Sequence, residues 1–148
     1  MMTTVICLLI LAYCMMGKDI RALLDKVKDV DWRGKAAELM DKLRPYALKA
    51  GRVASRPLLQ FYYVMADEKT STQDKVLIYA AIAYTVSPVS LIPASVYKLL
   101  GVMDEGAAVL FVYKKVKGLI TPEINAKADA TLDEWFGAEE VKPAETGN

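Results

Sequence analysis

Residues 76–97 read VLIYAAIAYTVSPVSLIPASVY, an uncharged run that is apolar on every side of a helix. A bilayer-spanning helix needs roughly 20 apolar residues, so the run has the length for one. Pro88 and Pro93 interrupt it, each removing a backbone donor and clashing with the turn before it. The expected product is a hydrophobic helical hairpin instead of one straight span. A second uncharged run covers residues 1–17, MMTTVICLLILAYCMMG. Between the two, Ile20, Leu23, Leu24, Val27 and Val30 recur at helical spacing and predict an amphipathic helix over 19–30. Asp31 is placed to cap a second helix with Ala36, Leu39, Met40 and Leu43 on one face, and Pro45 should bend or end it. A third apolar segment, 58–65, follows Arg56-Pro57 and stops at Asp67-Glu68-Lys69.

Ser71-Thr72-Gln73-Asp74 resembles a capping box opening the helix that enters the long run. Gly101 marks a turn, and Asp104-Glu105 opens a further helix through residue 118. Thr121-Pro122-Glu123 combines a capping hydroxyl, proline at the first helical position and an early acid. The last helix then carries Ile124, Ala128, Leu132, Trp135 and Phe136 and fades by Gly137. Residues 141–148 read as the end of an acidic, unstructured tail. No strand-period alternation occurs. The expected fold is all-α: a small helical bundle with a proline-broken hydrophobic hairpin and an N-terminal apolar helix.

The organisation follows from these breaks: an apolar anchor or signal-like segment over 1–17, an amphipathic region over 18–57, a helical domain over 58–137 and the tail over 138–148. The first segment has competing readings. A cleavable signal wants a basic start and a small-residue cleavage site, and neither is present; a lipoprotein cysteine at Cys14 meets bulky Tyr13 where a small residue is wanted. A short anchor followed by Lys18, Arg21, Lys26 and Lys28 would hold the chain in the cytoplasm by the positive-inside tendency. A buried core helix is the remaining alternative.

Composition narrows the chemistry. Hydrophobic residues make up 54% of 148, charged ones 25%, and the net charge is +1, which gives no global drive toward nucleic acid. There is no histidine, hence neither the commonest general base nor the commonest transition-metal ligand. Cys7 and Cys14 alone make no zinc site or disulfide framework. No metal or cofactor is expected. Charge is unevenly placed: Lys42, Arg44, Lys49, Arg52 and Arg56 form a stretch without an acid. With Tyr46, Phe61, Tyr62 and Tyr63 nearby they are candidate contacts for anionic lipid, each cation contributing about 1 kcal/mol; a solvated basic face is the rival.

Residues 61–137 resemble the YkvA-like family of uncharacterised bacterial domains. The resemblance rests on Tyr62-Tyr63 and Asp67, on Ala80-Ala81-Ile82-Ala83-Tyr84, on the corner Pro88-Val89-Ser90-Leu91-Ile92-Pro93, and on Gly101 through Asp104-Glu105. It implies a small helical, membrane-associated protein with no established activity. Two corner aspartates of the family pattern are replaced here by Ser90 and Ala94. Ser90 can still cap a helix, whereas two adjacent acids are a poor site for a hard cation. Asp104, Glu105 and Ser90 are therefore read as caps or interaction residues.

The expected role is a non-catalytic, membrane-associated interaction or scaffold protein. Its partners would be membrane lipid, and a protein partner or a second copy. A bacterial inner membrane with the main domain cytoplasmic is the expected location. A lipid-binding or transport-accessory protein is the alternative, and an enzyme relying on Asp104 and Glu105 is a second one. The all-round apolar character of 76–86 favours lipid over a protein core for the hairpin.

Overall fold

The structure is a computed structural model, which describes residues 2–86 and 105–137. Its helices are α1 (Met2–Met15), α2 (Arg21–Asp25), α3 (Trp32–Ala50), α4 (Arg52–Ala66), α5 (Thr72–Val86), α6 (Glu105–Val116) and α7 (Pro122–Phe136), with a 3-10 turn at Lys117–Leu119. No strand occurs among the described residues, as the absence of two-residue alternation predicted.

Start signals worked where a side chain could reach a free amide. The Asp31 carboxylate accepts from the Gly34 amide at 3.2 Å, Ser71 Oγ from the Asp74 amide at 3.2 Å, and Thr121 Oγ1 from the Ile124 amide at 3.2 Å. These bonds fix the starts of α3, α5 and α7 by satisfying donors that the first helical turn leaves unpaired. Gly137, at φ +80°, ends α7 where the sequence placed its end.

Two expectations change. The helix over 19–30 shrinks to α2, and Lys26, Val27 and Val30 donate to Leu23, Leu24 and Val27 in successive three-residue turns. Ile20 has no side-chain cap to offer, yet the turns still bury Ile20 and Val27. Asp19 instead holds Arg21 through both carboxylate oxygens, and those bonds bring its pKa down to about 2. Pro45 does not end α3, which runs on to Ala50. The proline is exposed, and the burial of Leu39, Leu43 and Ala47 on the opposite face offsets its roughly 3 kcal/mol cost. Gly51, at φ +97°, ends the helix. α4 then starts at once and carries Pro57 inside it, so the 57/58 division falls within a helix.

α5 is the centre. Every residue from Val76 to Tyr84 is buried, enclosed by α1, α3, α4 and α6. The expectation is that so uniformly apolar a helix turns to lipid; in the structure α1, whose Cys7, Leu8, Ile10, Leu11 and Ala12 are buried, packs against it. Thr4 and Tyr79 hydroxyls hydrogen-bond at 2.9 Å across this pair, and Trp32 meets the Tyr79 ring edge-on at 5.9 Å. No helix among the described residues is long and apolar enough to cross a membrane. At 14 residues, α1 extends about 21 Å against a hydrocarbon core of about 30 Å. The second arm of the hairpin lies outside the described residues.

Candidate functional site

α7 docks on the face of α4 with a regular polar register. Arg52 pairs with Asp133, Arg56 Nε donates to Asp129 at 2.9 Å, and Gln60 Nε2 donates to Asn125 Oδ1 at 2.7 Å. Each step of four residues forward on α4 meets a step of four back on α7, the signature of two antiparallel helices sharing a stripe. The Arg56 guanidinium holds the Asp129 carboxyl below the usual carboxylate range. Outside that register, Tyr63 and Thr131 hydroxyls meet at 2.6 Å, and Thr131 donates onward to the Lys127 carbonyl at 3.0 Å. With the threonine proton so used, Tyr63 is the donor of the first bond.

The five basic candidates therefore divide. Arg52 and Arg56 are held by acids of α7. Lys42, Arg44 and Lys49 are exposed and belong to no ion pair among the described residues. The sequence offered the register as matching four-residue spacings, Arg52-Arg56-Gln60 and Asn125-Asp129-Asp133, but only the packing shows that they face each other.

At the tip formed by the end of α3 and the start of α4, two large apolar side chains stand in solvent: Leu48, 55% exposed, and Val53, 88% exposed. Lys49 lies between them in sequence, with Lys42 two turns back along α3. Beside this corner a groove of about 540 Å³ opens between α3, α4 and α7. α3 contributes Met40, Asp41, Arg44, Pro45 and Leu48, α4 contributes Tyr63, and α7 contributes Thr131, Glu134 and Trp135. Positions 41, 44, 45 and 48 form one stripe of α3 by helical spacing, and the Tyr63–Thr131 bond fixes the opposite wall. Periodicity alone did not show this groove, because it is built from three helices far apart in sequence.

A second hollow of about 520 Å³ lies between the α4–α5 turn and the start of α7, with Asp67, Asp74, Glu123 and Lys69 around it. No group of three or more metal-ligating side chains occurs among the described residues. Ser90, Asp104 and the corner residues Pro88, Leu91, Ile92, Pro93 and Gly101 lie outside those residues, and Glu105 opens α6. Burial pushes the Cys7 thiol up to about 12, which keeps it protonated and unreactive.

The chain matches no protein-family model, no curated protein and no solved structure.

Proposed function

We propose that the chain is a membrane-associated, non-catalytic interaction protein that meets an anionic bilayer surface through the α3–α4 corner. One observation carries this reading. Leu48 and Val53 are exposed at a corner whose neighbouring cations, Lys42, Arg44 and Lys49, have no ion pair among the described residues while the next two arginines are held by α7. Three such cations contribute about 3 kcal/mol at an anionic surface. Inserting a leucine and a valine adds about 1–2 kcal/mol each. That total suits reversible attachment of a folded domain and is far short of a spanning helix.

Sedimentation with vesicles tests the reading. Phosphatidylglycerol vesicles should carry the protein down, and phosphatidylcholine vesicles should leave it in solution. The triple variant K42Q/K49Q/V53S should lose the difference while keeping its unfolding midpoint. Equal partitioning of wild type and triple variant would refute the corner as the contact.

A further inference from the structure

The groove beside the corner holds charges of both signs that do not neutralise one another. Asp41 and Arg44 on α3 and Glu134 on α7 line one space of about 540 Å³, and none of the three is in an ion pair among the described residues. Tyr63 and Trp135 supply aromatic wall beside them. A guanidinium recognises phosphate through paired N–H donors. Two carboxylates and aromatic rings together suit an ammonium group, which donates hydrogen bonds to the first and is attracted by the second. Charges of both signs left unmatched around one opening fit a ligand that itself carries both.

We infer that this groove binds the phosphoethanolamine headgroup of a phospholipid, with Arg44 on the phosphate and Asp41 and Glu134 on the primary ammonium. The lipid source follows from place, because Leu48 belongs both to the groove wall and to the exposed corner; in that respect the inference rests on the membrane reading above. A headgroup seated against Tyr63 and Trp135 leaves its glycerol end toward Leu48 and the bilayer. The two carboxylates also set a preference, since a quaternary ammonium has no N–H to donate to them.

Trp135 is a built-in reporter once the other tryptophan is removed by W32F. Titration of that variant with O-phosphoethanolamine should give a saturable change in Trp135 emission. R44Q and E134Q, both on the groove rim, should each weaken binding at least about tenfold, about 1.4 kcal/mol, with unfolding midpoints unchanged. Phosphocholine and inorganic phosphate should bind more weakly by a similar factor. With vesicles, adding phosphatidylethanolamine to phosphatidylglycerol should tighten wild type and leave R44Q/E134Q unaffected. No saturable response to O-phosphoethanolamine, or a response equal to that of phosphate alone, would overturn the groove assignment even if anionic vesicles still capture the protein. A soluble response without any gain from phosphatidylethanolamine vesicles would overturn the lipid source. K42Q/K49Q/V53S separates the two ideas: it should lose vesicle capture and keep the soluble response.

Discussion

Cys7 and Cys14 are two helical turns apart on α1, yet their surroundings differ. Cys7 is fully buried and Cys14 only partly so. In the unfolded chain the Cys7 thiol ionises near its ordinary 9.0, and in the fold only near 12. Its contribution to stability is therefore complete below pH 9 and is lost as the pH rises toward 12. Denaturation followed at rising alkaline pH should show that decline, and Cys7→Ala should remove part of it. A thiol-reactive dye under native conditions should label Cys14 alone, with Cys7 appearing only in denaturant. Trp32 gives a second residue-scale expectation. Its indole Nε1 is buried without a hydrogen-bond partner among the described residues, while its ring packs on Tyr79. Trp32→Phe keeps an aromatic edge and removes an unsatisfied donor, so it should cost less than about 1.5 kcal/mol in chemical denaturation, against about 3–5 kcal/mol for Trp32→Ala.

At the scale of elements, α1 and the α4–α7 stripe are the informative pieces. α1 covers one side of α5 with residues that are themselves buried. Deleting residues 2–15 should therefore abolish the cooperative unfolding transition, whereas removal of a detached anchor would leave the transition intact. In the polar stripe, Gln60 is 7% exposed and bonds Asn125. Gln60→Leu would leave the Asn125 side-chain oxygen Oδ1 without its donor and should cost about 1–2 kcal/mol. The more exposed Arg56–Asp129 pair should show a coupling of at most about 1 kcal/mol in a double-mutant cycle. Asp129 ionises below its ordinary range because of Arg56, so that coupling is fully present above that range and is lost only as the pH falls below it.

These elements also mark what the chain revealed before it was folded. Asp31, Ser71 and Thr121 announced helix starts because a capping side chain acts on an amide three residues away, and so little depends on the rest of the molecule. Of the two outcomes expected at Pro45, a bend or an end, the end does not occur, because whether a proline ends a helix depends on the packing of the opposite face. The run at 76–86 depends on its surroundings in the same way. A helix apolar on all sides reads alike in lipid and at the centre of a bundle, and only the packing of α1, α3, α4 and α6 around α5 distinguishes them here. The groove was illegible because Arg44, Tyr63 and Trp135 meet only after three helices have packed.

The two uncharged runs of the sequence meet within the fold, in that α1 and α5 pack together, and the attachment proposed here uses an exposed corner instead. Gly51 shapes that corner by adopting a positive φ between two long helices. Gly51→Ala should cost about 1 kcal/mol or more through backbone strain and should weaken vesicle capture together with stability. The most direct measurement places an environment-sensitive fluorophore at residue 53 through Val53→Cys in a Cys14→Ser background, with a control label at exposed Ala37 near the start of α3. On phosphatidylglycerol vesicles the probe at 53 should shift to the blue and be quenched by lipid-borne quenchers, while the probe at 37 should report water throughout. An unshifted probe at 53 on vesicles that have bound the protein, or equal shifts at both positions, would contradict the account.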